Sequence, residues 1–184
     1  MSKKKALVVN LFGQPGAGKS TASAYIFAKL KMDYVNAELV TEFAKEKTWE
    51  HNDMALSNQF YVFGNQAYRL SRVASQVDVV VIDSPLLLSN YYAGDDPLME
   101  NFKKACLDAF NSYDNLNFFL KRVKPYNPVG RNQTEEESDQ IAEELTKMLD
   151  KDNIQYSIYN GNTEDYDKIY NKVKEELCLR GHNK

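Results

Sequence analysis

Gly13, Gly16, Gly18, Lys19 and Ser20 spell the pattern Gly-x-x-x-x-Gly-Lys-Ser, and residues of these types at this spacing can bind polyphosphate. The glycines let the backbone curl until successive N–H groups converge on phosphate oxygens. A helix starting near Lys19 adds the positive end of its dipole. Lys19 is placed to reach β- and γ-phosphates, and the Ser20 hydroxyl to hold Mg²⁺. The whole stretch is expected to contact a nucleotide: Gly13, Gln14, Pro15, Gly16, Ala17, Gly18, Lys19, Ser20 and Thr21. The plain alternative is a glycine-rich strand-to-helix turn without a ligand. Context argues for phosphate, because an apolar run of strand length over 6–12 stops at Gly13 and a helical pattern follows.

Further chemistry-bearing residues lie along the chain. Four apolar residues lead into Asp83, a carboxylate at a strand's C-terminal end, where open α/β sheets bind ligands. Asp83 is a candidate to hold Mg²⁺ through water or to act as base, with a helix N-cap as the alternative. Glu38 and Glu42 would sit four apart on one face of a helix over 38–47. One of them is a candidate to position or deprotonate an acceptor; a solvated acidic face is the other reading. Gln66 and Arg69, on one flank of a later helix together with Gln59, are candidates for binding an acceptor's base or phosphate. Arg72 lies further round that helix. Trp49, Tyr91 and Tyr92 are candidates to stack on a base, although aromatic residues more often fill cores. The segment 122–133, between a strand and a capped helix, carries Arg122 and Lys124 before two prolines and a glycine and Arg131 after them. Such a loop can act as a lid that brings guanidinium groups onto a transferring phosphate, or be an ordinary exposed connection.

Alternating strands and helices must position these groups. Strands are expected over 6–12, 34–36, 77–82, 115–120 and 155–159. Helices are expected over 19–31, 38–47, 53–75 with Asp53 as N-cap, 86–92, 97–110, 134–150 behind a Thr134–Glu137 capping box, and 163–179. The strand over 77–82 is apolar on both faces, as a central parallel strand requires. The alternation implies parallel βαβ units, and with the phosphate-binding pattern of Gly13 to Ser20 a three-layer α/β P-loop NTPase fold with a central parallel sheet of about five strands. No repeat or linker divides the chain, so one domain over 1–184 is expected, with the lid as its mobile part.

The bulk composition excludes some classes. No apolar run approaches membrane-spanning length, and the lysine-rich start leads into the first strand without an apolar signal core. A cytoplasmic protein with free Cys106 and Cys178 is expected. A formal charge of −3 argues against a broad nucleic-acid footprint while leaving a local basic groove open.

With the P-loop, Asp83 and the arginine-bearing lid in this order, the chain resembles small P-loop kinases of the nucleoside and nucleotide kinase group. From Ala6 to about Leu177 its layout is similar to the ribosylnicotinamide kinase domain of a bacterial NAD-biosynthesis regulator. The segments Ile82-Asp83-Ser84-Pro85-Leu86-Leu87-Leu88 and Lys124-Pro125-Tyr126-Asn127-Pro128-Val129-Gly130-Arg131 look more like bacteriophage P-loop kinases, a group that includes enzymes phosphorylating 5-hydroxymethyluracil in DNA. The resemblance implies transfer of the γ-phosphoryl of ATP, with Mg²⁺, to a nucleoside-type acceptor. That acceptor is a free nucleoside or nucleotide, or a 5-hydroxymethylpyrimidine in phage DNA. Lys19, Asp83, Arg122, Arg131 and Glu42 would carry catalysis, with Ser20 and Asp83 on the metal and Glu38, Gln66 and Arg69 on the acceptor. The competing class is a nucleotide-gated regulatory ATPase.

Overall fold

The computed structural model describes residues 5–130 and 132–181. Strand β1 (Leu7–Phe12) is buried along its whole length and lies at the centre of a five-stranded sheet. Its neighbours are β3 (Val79–Ile82) on one side and β4 (Asp114–Lys121) on the other. Strands β2 (Ala37–Val40) and β5 (Ser157–Asn160) form the edges, and every pairing is parallel, in the order β2-β3-β1-β4-β5.

Successive side chains of β1 point to opposite faces, so each face acquires its own core. Leu7, Val9 and Leu11 pack with Val79, Val81, Phe118 and Leu120 under α1 (Lys19–Met32) and α8 (Thr163–Leu179). Val8 and Phe12 pack with Val80, Ile82 and Phe119 on the other face. There the cover is α4 (Gln59–Ala74), α5 (Leu88–Tyr92), α6 (Glu100–Asn111) and α7 (Glu135–Lys151). Two short helices, α2 (Phe43–Trp49) and α3 (Asp53–Ser57), precede α4. Asn10, buried within β1, donates from Nδ2 to Asn115 Oδ1 and Asn117 Oδ1, both at 2.9 Å. These bonds tie β1 to β4 and fix where the P-loop leaves the sheet.

The expected three-layer α/β architecture with five parallel strands is present. The capping box is also present: Thr134 Oγ1 accepts from Glu137 N–H, and Glu137 Oε2 accepts from Thr134 N–H. Two elements differ from the sequence expectation. The second strand is displaced to Ala37–Val40, because Tyr34 takes a left-handed turn (φ 60°) that closes α1. Glu38 therefore belongs to an edge strand, where one side faces solvent, and shares no helix with Glu42. Glu42 instead precedes the first residue of α2.

The single helix expected over 53–75 is broken at Asn58. Asn52, not Asp53, caps α3 by accepting from Ala55 N–H, and Asn58 caps α4 by accepting from Tyr61 N–H. Asparagine side chains compete with helical backbone bonding and so favour caps over interiors. The break rotates the buried stripe. Val62, Gln66, Leu70 and Ala74 face inward, Phe63 and Ala67 pack beside them, and Phe60 is exposed.

Candidate functional site

The loop 13–18 leaves the C-terminal end of β1 and enters α1. Gly18 takes φ 98°, and a Cβ there would collide with the Tyr166 hydroxyl, so only glycine fits. That hydroxyl donates to the Gly18 carbonyl at 3.4 Å and braces the loop from α8. Lys19 Nζ lies across the loop, donating to the Gly13 carbonyl at 2.8 Å and the Gln14 carbonyl at 3.2 Å. Ser20 and Thr21 are exposed in the first turn of α1, and both line a cleft of about 360 Å³ together with Gly13, Gly16, Gly18 and Lys19. The loop, Lys19 and the helix N-terminus thus converge on one space where a polyphosphate would meet backbone N–H groups and an ammonium.

Asp83 stands beside this loop. Ile82 pairs with Asn10 in the β1–β3 register, so the next residue emerges next to the strand that carries the P-loop. Asp83 is 3% exposed and its Oδ1 is buried without a hydrogen-bond partner. It caps no helix, because α5 begins five residues later at Leu88. A buried acceptor of this kind is costly unless something completes it, and a hydrated cation or an acceptor hydroxyl would do so. No cluster of three or more His, Cys, Asp or Glu among the described residues could hold a metal ion. A hard cation would therefore rest on Ser20, Asp83, water and phosphate oxygens, which is how Mg²⁺ is commonly bound.

The opposite wall comes from several separate elements. Glu42, Ala44, Lys45 and Thr48 contribute from the start of α2; Leu56, Gln59 and Val62 from α3 and α4; Ser84, Leu88, Ser89 and Tyr92 from the segment after β3. Tyr92 is 44% exposed overall, but desolvation first, and then the nearby Glu42 charge, push its phenol up to about 12. The Tyr91 hydroxyl points elsewhere and donates to Glu144 at 2.6 Å.

The segment after β4, expected to be a lid, borders the cleft: Lys124, Val129, Gly130, Asn132 and Gln133 line it. The Tyr126 ring packs against Gly16. Of the expected lid cations, Arg122 is engaged at the root. Its guanidinium donates to Glu135 and to Asp139 (2.6 Å) and lies over the Tyr126 ring, 5.5 Å from the centroid. Arg122 first, and Gln14 second, hold the Asp139 carboxyl below its ordinary range. Ser138 donates to the Pro15 carbonyl at 2.7 Å, so α7 is bonded to the P-loop at two points. Arg131 lies outside the described residues. Lys124 is the lid cation over the P-loop: a Cβ on Gly18 would lie 3.6 Å from its Nζ.

The structure places the remaining expected site residues away from the cleft. Gln66 is buried and bonds the backbone, accepting from Phe43 N–H at 2.9 Å and donating to the Thr41 carbonyl at 3.3 Å. Arg69 pairs with Glu46 at 2.6 Å and lowers that carboxyl's pKa. Both brace the turn before α2 and neither lines the cleft, because their polar groups are engaged by Thr41, Phe43 and Glu46. Glu38 is carried to the β2 edge, and Arg72 lies in the last turn of α4. Sequence reasoning placed Lys124 in the lid and Gln59 on the flank of Gln66 and Arg69, but assigned neither a role of its own. The run Asn52 to Asn58 was the available signal for Gln59, since two caps in succession break a helix.

A central β–loop–helix with glycines at the turn, Lys19 across it and Asp83 directly after the neighbouring strand defines a P-loop nucleoside triphosphatase domain. The family model for the AAA domain matches residues 8–165, and the chain belongs to that family. No curated protein matches the chain in sequence. No helix among the described residues is long and apolar enough to cross a membrane.

Proposed function

We propose that the protein is an ATP-dependent phosphotransferase that moves the γ-phosphoryl group to a hydroxyl of a nucleoside-type acceptor. The observation that carries this reading is the buried, unpartnered Asp83 oxygen, one residue before Ser84, which lines the cleft. Besides the P-loop, the cleft is lined by the apolar and aromatic side chains of Leu56, Val62, Leu88 and Tyr92. A ring-bearing acceptor suits that lining.

In the proposed reaction the loop N–H groups and Lys19 hold the β- and γ-phosphates. Ser20 and Asp83 would hold Mg²⁺, which neutralises the charge that develops on the phosphate oxygens when bound. The acceptor O–H loses its proton to a carboxylate, Asp83 first or Glu42 from the facing wall. The acceptor oxygen forms a bond to the γ-phosphorus as the bond to the β–γ bridging oxygen breaks, and ADP leaves. Lys124 meets the transferring group from the lid. A free nucleoside or nucleotide and a 5-hydroxymethylpyrimidine in DNA are the two acceptors this reading supports.

The AAA-domain match favours a second reading, ATP hydrolysis by a regulatory switch. Radiolabelled ATP offered with nucleosides, nucleotides and hydroxymethylated DNA separates the two. Label on an acceptor is expected. Steady release of inorganic phosphate with no labelled acceptor would overturn the transferase reading.

A further inference from the structure

Helix α2 carries three charged side chains, Lys45, Glu46 and Lys47. Two of them are spent on partners within the fold. Glu46 accepts from Arg69 at 2.6 Å. Lys47 donates to Glu50 at 2.7 Å and lies over the Phe43 ring, 5.3 Å from the centroid. Lys45 is different. It is exposed, it lines the cleft, and among the described residues it makes no ion pair or hydrogen bond through its side chain, with Glu42 or with any other group. Thr48 stands three residues on, and so on the same face of the helix, and it lines the cleft as well. Its hydroxyl, however, is donated back to the Ala44 carbonyl at 3.2 Å. What this face of α2 offers a ligand is therefore the Lys45 ammonium.

The phosphates of ATP have the loop N–H groups, Lys19 and the lid's Lys124 to meet them. Lys45 stands on the wall that faces the P-loop, where Glu42 and the adjacent Asp83 supply negative charge. A neutral acceptor needs no cation there. An anionic acceptor would be repelled by those carboxylates unless an ammonium met it. We infer that Lys45 binds a phosphate carried by the acceptor, so that the site takes a nucleotide, free or within a strand, and discriminates against the bare nucleoside. The inference rests on the acceptor reading proposed above and chooses within it. The phosphate is a handle and not the reacting group: it fixes the acceptor against α2 while a hydroxyl of the same molecule meets the γ-phosphorus. A lysine suits this task, as a compact point charge on a flexible stem from which phosphate oxygens accept charge-assisted hydrogen bonds.

The test is calorimetry on the full chain with Mg²⁺ and a non-hydrolysable ATP analogue. The probes are the common deoxynucleosides and 5-hydroxymethyl-2′-deoxyuridine, each as the free nucleoside, as the 5′-monophosphate and within a short single strand of DNA. In wild type at least one phosphate-bearing form should bind roughly tenfold or more tighter than its nucleoside, the worth of a charge-assisted hydrogen bond. Lys45→Met should remove that preference and leave the nucleoside and the ATP analogue as they were. Lys45→Arg keeps the charge and should retain the preference within about threefold, short of the cost of an unmade bond. Circular dichroism shows that each variant is folded. Binding of the monophosphate assigns the handle to a free nucleotide; binding of the strand alone assigns it to the DNA backbone. The inference is overturned if nucleoside and nucleotide bind wild type equally, if no phosphate-bearing form binds, or if Lys45→Met keeps the preference. It is also overturned if Lys45→Met weakens the ATP analogue instead, which would make Lys45 a ligand of ATP. Transfer is scored separately. Lys45-dependent nucleotide binding without transfer upholds this inference and sinks the transferase reading. Transfer to a bare nucleoside as efficient as to its nucleotide sinks this inference alone.

Discussion

The two walls of the cleft are built by different means. The P-loop wall is one uninterrupted run of chain, 13–21, held at the middle of the sheet by β1, which is buried along its full length. The facing wall is assembled from short helices, a turn after β3 and the lid, and its residues are scattered from Glu42 to Gln133. A contiguous wall can be specified by one local motif. A composite wall depends on helix breaks and on tertiary bonds such as those of Gln66 and Arg122. Phosphate chemistry should therefore depend on few residues with large effects, and the facing wall on many residues with smaller ones.

The sharpest blow to the P-loop wall is Lys19→Ala. Turnover should fall by about 10³-fold or more, as when a principal charge-stabilising donor is removed. Circular dichroism should be unchanged, because the side chain faces the cleft and not the core. Near-normal turnover would remove the nucleotide from this site.

Asp83→Asn comes next. It keeps the shape and removes the charge at the junction of the walls. Loss of a base or of a metal-holding carboxylate should lower turnover by at least about 10²-fold. A slight loss would shift the role of base to Glu42, moving the chemistry to the facing wall.

Gln66→Leu tests the composite wall's scaffolding. Leaving Phe43 N–H and the Thr41 carbonyl without their partner should cost about 1–3 kcal/mol of stability, measured by urea denaturation. The acceptor Michaelis constant should stay the same. A selective rise in that constant would return Gln66 to the site.

The smallest effects belong to the lid. Lys124→Ala should lower kcat by about tenfold with less change in nucleotide affinity, as for a charge that meets phosphate mainly in the transition state. Arg122→Gln should instead loosen the bonds between α7 and the P-loop. Because the Asp139 carboxyl is depressed in the folded protein, its contribution is present above the unfolded value near 4 and is lost as pH falls through the lowered value. Acid titration of the melting temperature should show this loss in wild type and show it diminished in Arg122→Gln. Equal acid sensitivity would mean that Arg122 does not hold Asp139.

The same contrast explains what could be read in advance. Gly13 to Ser20, the apolar strand into Asp83, the Thr134–Glu137 capping box and the helix over 163–179 are local signals, and each stands where its pattern placed it. Glu38 was misplaced because the turn that starts β2 depends on a left-handed Tyr34, which a tyrosine does not advertise. Gln66 was misread because its carboxamide is taken by the backbone of Thr41 and Phe43, a tertiary contact that helical spacing does not advertise. Arg122 looked available because Glu135 and Asp139, its carboxylates, are brought to it by the fold of the lid back onto α7.

Gly130 has a use beyond turning the chain. Its Cα sits so close to the Trp49 indole that a Cβ would lie 2.7 Å from the ring, and Trp49 is the sole tryptophan in the sequence. The indole bridges the lid and α2 at the rim of the cleft and is otherwise substantially open to solvent, at 57% exposure. The molecule thus carries its own optical gauge. Any shift of the segment around Gly130 against α2 would change the solvation of one fluorophore, so stopped-flow emission on mixing with nucleotide, without a label, tests whether that segment moves.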